Sequence, residues 1–204
     1  HQINTSKSKH VIVENLFFDE VNHLKIIYKL DVEILNCGEL KNKELAKESE
    51  VTFGKLSDNV CTMFTSGTSG PSKGVMMPNA HCVLFAVGTI ENYELKHDHI
   101  FYISLPLFHA NGLFMQLLAC IITGAKAIIR KRFSASNWLK DVRKYDVTHT
   151  NMLGAIAAFV VAQPTSEHDK DHKLVVIGSA PLPSEPERIF RERFGVIKKN
   201  IRQP

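Results

Sequence analysis

Short apolar runs alternate along this chain with longer stretches in which apolar residues recur at helical spacing. An apolar run of four to eight residues bounded by turn residues is typical of a buried strand, whereas a recurrence every three or four residues predicts a helix. Strands that alternate with helices favour parallel βαβ units. The sequence therefore predicts an α/β fold, with mainly parallel sheets flanked by helices. The predicted strands are Val11–Val13, Val32–Leu35, Cys61–Phe64, Phe101–Leu105, Lys126–Ile129, Val147–Thr150 and Leu174–Ile177.

The helical stretches differ in how clearly they mark a buried face. Asn79–Tyr93 is predicted to be helical, with Leu84, Val87 and Ile90 on one side. Glu39–Glu50 is highly charged and predicts an exposed helix or connector, and Gln163–Asp171 is polar and linker-like. The other predicted helices are an amphipathic one carrying Phe17, Val21, Leu24 and Tyr28, then Gly112–Ile122, a helix that Ser134 or Ser136 can cap and that carries Trp138, Leu139, Val142 and Tyr145, then Leu153–Val161 and the charged stretch from Pro183 to Phe194.

Composition narrows the class of protein. The 204 residues are 44% hydrophobic and 23% charged, which excludes a disordered chain, a collagen and a coiled coil. No apolar run approaches the ~20 residues that span a bilayer, and the N-terminus lacks the pattern of a signal peptide. Four widely spaced cysteines without a CxxC pair indicate reduced thiols and a cytoplasmic protein. A net charge of +4 without a concentrated basic face argues against a nucleic-acid partner.

The strongest chemical signal is the segment from Thr65 to Gly74, which follows directly on a predicted strand. Its glycines allow close approach of the backbone to a ligand, and its hydroxyl and backbone N–H groups can donate to phosphate oxygens. Lys73 adds a cation. A standard P-loop needs glycine immediately before the lysine, and Ser72 stands there instead. A flexible Gly/Ser linker is the alternative. The candidate binding residues are Thr65, Ser66, Gly67, Thr68, Ser69, Gly70 and Lys73.

This segment resembles the phosphate-binding signature of the adenylate-forming superfamily, which comprises acyl-CoA synthetases, peptide-synthetase adenylation domains and luciferases. The signature usually runs Ser-Gly-Thr-Thr-Gly-x-Pro-Lys-Gly. Here Ser69 replaces the second threonine and Pro71 falls one place early, yet the hydroxyl and the stiffened turn are both retained.

Two further motifs follow in the family's order. Leu105-Pro106-Leu107-Phe108-His109 resembles the motif beside the acyl pocket, so the resemblance implies that His109 gates that pocket and acts at the reacting carboxylate. Gly178-Ser179-Ala180-Pro181-Leu182 resembles the loop against the adenine of ATP, with Ser179 in place of a usual glycine. Asn151–Ala155 falls where the family lines its acyl pocket. A core or capping histidine and an ordinary strand-to-helix turn are the alternatives.

The resemblance implies an ATP-dependent acyl-CoA ligase, closest to those of fatty acids and carnitine-like acids. A carboxylic acid and ATP would form an acyl-adenylate, and coenzyme A would then take the acyl group. ATP, Mg²⁺ and coenzyme A are the implied cofactors and partners of the parent enzyme. The resemblance assigns no metal ligand to this chain, and His97–His99 and His168…His172 lie in polar stretches typical of solvated loops.

The chain is shorter than the family's members, and it lacks their Tyr-Gly-x-Thr-Glu motif, ribose-binding aspartate and C-terminal lysine. We therefore expect a fragment of the N-terminal domain, with residues 1–95 ending one α/β sub-domain and residues 97–204 starting a second. We expect the fragment to be inactive alone, to hold no cofactor and to self-associate through exposed apolar surface. A non-catalytic nucleotide-binding remnant or regulatory protein is the alternative, and a structural relic without a ligand is a third reading.

Overall fold

The computed structural model describes residues 1–40, 53–65, 70–179 and 184–196 of the chain. These residues form two compact units, His1–Pro78 and Asn79–Pro204. Most of the charged segment Glu39–Glu50 lies outside the described residues, so the helix or connector expected there stays a prediction.

The first unit contains two small sheets. β1 pairs in parallel with β2 through a helical crossover, whereas β3 and β4 pair antiparallel. The helix between β1 and β2 forms as predicted, but its apolar stripe is not buried, since Phe17 is 48% and Tyr28 67% exposed. The elements are α1 (Gln2–Ser6), β1 (His10–Val13), a 3-10 turn (Asn15–Phe17), α2 (Phe18–Ile27), β2 (Glu33–Asn36), α3 (Cys37–Leu40), β3 (Asn59–Phe64) and β4 (Gly74–Pro78).

The second unit is built on a four-stranded sheet in the order β6-β5-β7-β8, in which every neighbouring pair is parallel. The chain runs from β5 to β6 on one side and then crosses back over β5 to β7 and β8. The elements are α4 (Asn79–Tyr93), β5 (Ile100–Ile103), a π-helix (Asn111–Leu118), α5 (Ala119–Thr123), β6 (Lys126–Ile129), α6 (Ala135–Lys144), β7 (His149–Met152), α7 (Gly154–Val161), β8 (Val176–Ser179) and α8 (Ser184–Glu192).

Helices cover both faces of this sheet, because successive side chains of a strand point to opposite sides. Phe101 and Ile103 pack into one buried cluster with residues of α4 and α5, and we call this side the α4–α5 face. Tyr102 packs into a second cluster with Trp138 of α6 and Phe190 near the end of α8, on the α6–α8 face. The three-layer arrangement confirms the predicted α/β class, with a parallel sheet flanked by helices.

Helix α4 packs through a different stripe from the one its large apolar residues indicate. Leu84 is 66% and Val87 39% exposed, whereas Cys82, Ala86 and Thr89 are buried. The small side chains let α4 approach the π-helix and α5 closely, which a stripe of leucine and valine would prevent. The predicted helix is confirmed, and of Leu84, Val87 and Ile90 it is Ile90 that packs against the buried cluster.

The linker-like segment after α7 is anchored to the end of α8. Arg193 donates to the Asp169 carboxylate at 2.5 Å, to the Gln163 carbonyl at 2.7 Å and to the Pro164 carbonyl at 2.6 Å. Asp169 is 4% exposed. Arg143 also donates to the His168 and Asp171 carbonyls, so two guanidinium groups fix the segment that composition alone marks as a connector.

Candidate functional site

The glycine- and hydroxyl-rich segment connects β3 to β4, and hydrogen bonds close its base. The Thr65 N–H donates to the Lys73 carbonyl at 3.0 Å, and the Lys73 N–H donates to Thr65 Oγ1 at 3.3 Å. Both bonds at position 73 use the backbone, so the exposed Lys73 ammonium is not needed to hold the turn. Ser66, Gly67, Thr68 and Ser69 lie outside the described residues. Gly70 has a φ of +149°, which L side chains rarely adopt.

The first residues of the sequence, His1 and Gln2, contact Ser72 of this turn. His1 Nε2 lies 3.0 Å from the Ser72 carbonyl oxygen, and the Gln2 amide donates to Ser72 Oγ at 3.4 Å. An open cavity of about 440 Å³ lies there, lined by His1, Gln2, Ile3, Pro71 and Ser72. Sequence reasoning missed this groove, because nothing in residues 1–3 marks them as neighbours of residue 72.

His109 lies in the turn that leaves the carboxyl end of β5. Its N–H donates to the Pro106 carbonyl at 3.2 Å, and its own carbonyl accepts from Leu113 N–H at 3.0 Å. The imidazole is exposed, with its ring centroid 4.6 Å from that of Phe108, which is itself 75% exposed. His109 is therefore not a core histidine, and an aromatic pair faces solvent at this end of the strand.

The π-helix after His109 packs tightly onto the same turn through Gly112. A Cβ at residue 112 would lie 2.4 Å from the Pro106 carbonyl oxygen and 2.8 Å from that of Leu105. Both obstacles are backbone atoms, which no side-chain rotation can move away. Sequence reasoning missed this role, although an isolated glycine in an apolar helical stretch is the signal that could have found it. π-helical turns are rare and are found frequently at functional sites.

The glycine of the predicted adenine loop has a packing role in the structure. Gly178 and Ser179 are the last residues of β8 and are buried. A Cβ at residue 178 would lie 1.5 Å from the hydroxyl oxygen of Tyr93, at the end of α4. Burial raises the pKa of Tyr93 to about 12. Ala180 and Pro181 lie outside the described residues.

The parallel strands bring these motifs of the second unit to the same end of the sheet, at the carboxyl ends of the strands. The connections from β5 and β7 lead in opposite directions, so a topological switch point lies between them. In open α/β sheets, ligands bind outside the carboxyl ends of the strands at such a point. The turn with His109 leaves β5 there, Asn151 lies near the same end of β7, and Gly178 and Ser179 end β8. Thr65, Gly70 and Lys73 belong to the first unit.

At the amino end of β7 a buried histidine is held neutral. His149 Nε2 lies 3.1 Å from the Tyr93 carbonyl and Nδ1 lies 2.8 Å from Thr148 Oγ1, while its ring stacks on His99 at 4.4 Å. Burial, reinforced by His99, lowers the pKa of His149 to about 4. Within the described residues, no group of three His, Cys, Asp or Glu side chains could hold a metal ion.

Comparison with known proteins identifies the family. The sequence matches the family described as "AMP-binding enzyme" over residues 1–203. It is 33% identical over 173 residues to the medium/long-chain-fatty-acid–CoA ligase FadD17 of Mycobacterium tuberculosis, a match that covers 82% of this chain and 34% of that protein. It is 35% identical over 148 residues to human long-chain fatty acid transport protein 6, covering 70% of this chain and 23% of that protein.

Solved structures show the same fold. ATP-bound MatB from Rhodopseudomonas palustris superposes with a TM-score of 0.80 at 20% identity, over 95% of this chain and 40% of that one. The AMP complex of O-succinylbenzoate coenzyme A synthetase from Bacillus subtilis superposes with a TM-score of 0.78 at 25% identity, over 95% of this chain and 39% of that one.

This chain thus spans about a third of the length of FadD17 and two fifths of the length of MatB. In the described part of the chain, no helix has both the length and the apolar character needed to cross a membrane. The family match extends over nearly every residue. The chain belongs to the AMP-binding enzyme family.

Proposed function

We propose that this chain is part of an ATP-dependent acyl-CoA ligase. In the first step, a carboxylate oxygen attacks the α-phosphorus of ATP and the bond to pyrophosphate breaks, which gives an acyl-adenylate. In the second step, the thiol of coenzyme A attacks the acyl carbon, a thioester forms and AMP leaves. Family membership and relatives named as fatty-acid CoA ligases support this proposal.

The observation that carries the proposal is the closed turn between β3 and β4. Its backbone hydrogen bonds fix the two ends, while the Lys73 ammonium extends from the turn into solvent and makes no ion pair with any described residue. An ammonium beside hydroxyl groups and a glycine with positive φ suits the oxygens of a nucleotide phosphate. Thr65, Ser66, Gly67, Thr68, Ser69, Gly70 and Lys73 are proposed to contact the phosphates.

The second unit is proposed to hold the acyl and adenine parts of the ligands. His109 is exposed at the carboxyl edge of the sheet beside the switch point, where an aromatic or imidazole ring can cover the entrance to an acyl pocket. Gly178, Ser179, Ala180 and Pro181 are proposed to lie against adenine. Mg²⁺ would neutralise phosphate charge in the parent enzyme. The described residues provide no cluster of ligands for it.

Binding of ATP tests the role of Lys73. We expect Lys73→Ala to weaken ATP binding, measured by calorimetry, by about tenfold or more, because a charge-assisted hydrogen bond contributes about 1.5–3 kcal/mol. Lys9→Ala is the matched control, since it removes the same charge from an exposed position in the same unit. Equal ATP affinity of Lys73→Ala and the unmodified chain would refute the phosphate-binding role.

Catalysis by the 204-residue chain is a separate question. We propose that it does not complete ligation alone, because the family's remaining charged ligand residues are absent from it, and losing one such group costs about 10²–10³ in rate. The assay combines the chain with ATP, Mg²⁺, coenzyme A and medium-chain or carnitine-like acids and measures AMP. Robust AMP formation that Lys73→Ala abolishes would contradict this, whereas ATP binding without turnover is the expected result.

Self-association and a cytoplasmic location complete the proposal. Leu84, Ile121 and Phe159 are each at least 60% exposed, and exposed apolar surface of this kind favours association. Sedimentation velocity across a concentration series would detect it, and a concentration-independent monomer would exclude it. The four cysteines, all in the described part of the chain, form no disulfide, which suits a reducing compartment.

A further inference from the structure

Tyr93, the last residue of helix α4, covers the carboxyl end of β8. A Cβ on Gly178 would lie 1.5 Å from the Tyr93 hydroxyl oxygen, 2.3 Å from its Cζ and 3.1 Å from its Cε2, so the hydroxyl end of the ring lies directly against the Gly178 backbone. Gly178 and Ser179 are the last two residues of β8, and Ser179 is 4% exposed. Tyr93 therefore contacts β8 at the point where the proposed adenine loop begins.

The neighbouring strand holds the backbone of the same tyrosine. His149 of β7 has its Nε2 3.1 Å from the Tyr93 carbonyl oxygen, and because a carbonyl can only accept, the imidazole donates. His149 pairs in register with Val176, which precedes Gly178 by two residues on β8. Two residues of a strand span about 6.6 Å, close to the length of a tyrosine side chain. Tyr93 is therefore fixed at its carbonyl, and its ring reaches along β8 to Gly178.

The ring of Tyr93 is held by packing as well. It stacks on Phe101 of β5 with a centroid distance of 6.1 Å and an interplanar angle of 11°. Burial raises the pKa of Tyr93 to about 12, so the hydroxyl is uncharged at neutral pH. Side chains in a close-packed interior have little room to shift. The ring therefore acts as a rigid spacer, and its length sets the position of the Gly178 backbone relative to α4.

We propose that Tyr93 is a positioning residue for the adenine base of ATP. This inference rests on the proposed function, in which Gly178 and Ser179 lie against adenine. Packing contacts and hydrogen bonds between a base and a backbone both weaken steeply with small changes in distance. Tyr93 acts on the base through Gly178. The triphosphate is proposed to be bound by residues of the first unit, so Tyr93 should affect recognition of the base and leave recognition of the phosphates unchanged.

The preference for ATP over CTP measures this role. The two nucleotides share the ribose and the triphosphate and differ in the base, so the ratio of their dissociation constants reports recognition of adenine. Calorimetric titration of the chain should find ATP bound about tenfold more tightly, which corresponds to roughly one well-placed hydrogen bond. Tyr93→Leu should bring this ratio toward one, because a misplacement of about 1 Å in a site can cost about a hundredfold.

Two further variants distinguish positioning from stability. Tyr93→Phe keeps Cζ beside Gly178 and should retain most of the preference for ATP. Tyr145→Leu is the matched control: Tyr145 is also half-buried, but it packs against the cluster on the α6–α8 face, so this variant should keep the ratio of the unmodified chain. Fluorescence of Trp138 checks that each variant folds. If Tyr93→Leu fails to fold, Tyr93→Met, which fills more of the space beside Gly178, takes its place.

The outcomes separate this inference from the proposed function. If Tyr93→Leu weakens binding of ATP and CTP by the same factor, or leaves both unchanged, Tyr93 does not position adenine and nucleotide binding still stands. Equal affinity of the unmodified chain for ATP and CTP, or an equal fall of the ratio in Tyr145→Leu, overturns the inference in the same way. If neither nucleotide binds, the proposed function fails and the inference fails with it.

Discussion

Substitution of Gly178 by alanine tests whether this glycine is required by packing within the second unit. The added Cβ would lie 1.5 Å from the Tyr93 hydroxyl oxygen and 2.3 Å from its Cζ, against an ordinary contact of 3.4–4 Å. Tyr93 cannot easily move aside, because its ring stacks on Phe101 with a centroid distance of 6.1 Å and its carbonyl bonds to the buried His149.

The expected cost follows from the depth of this overlap. Overpacking of a well-packed core costs about 1–3 kcal/mol, and an overlap of about 2 Å belongs at the upper end. We therefore expect Gly178→Ala to lower the free energy of unfolding by about 3 kcal/mol, which corresponds to a fall in Tm of about 6–12 °C. Urea titration followed by the fluorescence of Trp138, the single tryptophan and a buried residue of the same unit, measures it.

A second substitution at Tyr93 identifies the cause. Tyr93→Phe removes the hydroxyl but keeps Cζ, so it should relieve part of the overlap, and Tyr93→Leu should relieve most of it. In a double-mutant cycle, Gly178→Ala with Tyr93→Leu should be less destabilised than the sum of the single variants by at least about 1 kcal/mol. Additive effects would refute the steric explanation.

Gly88→Ala is the control. A Cβ at Gly88 has no atom within 4 Å, and the residue lies inside α4. Alanine is the better helix former, so this variant should gain about 0.5–1 kcal/mol. If Gly178→Ala instead stays within about 0.5 kcal/mol of the unmodified chain, the close packing of Tyr93 on β8 is wrong.

Three further predictions concern the same unit. Gly112→Ala should cost about 3 kcal/mol, because the backbone oxygens at 2.4 and 2.8 Å cannot rotate away; an unchanged urea midpoint would contradict this. Arg193→Ala should cost about 3 kcal/mol, since it leaves the buried Asp169 carboxylate without its cation and with the Ser166 N–H still donating to it; the combination Arg193→Met with Asp169→Leu should cost less by the same urea assay. Because the pKa of His149 is lowered to about 4, the unfolded chain binds more protons than the folded one between about pH 6.5 and 4. Stability should therefore fall as the pH drops through this window, and urea midpoints of a His149→Gln variant should depend less on pH there.

The sequence predicted which helices and strands form better than it predicted their first and last residues. Helix α4 and strand β6 have the predicted bounds. The last two strands begin and end two residues later than predicted, since Asn151 and Ser179 are typical of loops while tertiary pairing keeps them in the sheet. The sequence left open whether a strand or a helix follows Thr65–Gly74, because a five-residue strand bounded by Gly74 and Pro78, with Met76 70% exposed, lacks the pattern of a buried strand.

For the candidate site, the sequence revealed residues with distinctive local chemistry and missed those defined by packing. The glycine-rich turn and the motif ending in His109 are short contiguous sequence motifs. The contact between Tyr93 and Gly178 joins residues that are far apart in the chain, so it carries no local sequence signal.

The strand order β6-β5-β7-β8 has a consequence for how the chain folds. The β3–β4 hairpin joins residues close in sequence, whereas the central pair β5–β7 joins Phe101 to His149 and leaves all of β6 and α6 in between. Loop-closure entropy delays such non-local parallel pairings relative to local ones. We therefore expect amides of β3 and β4 to gain protection early in a pulse-labelling refolding experiment, and amides of β7 to gain protection late. The carboxyl end of the sheet at the switch point between β5 and β7 would then be among the last parts of the chain to fold.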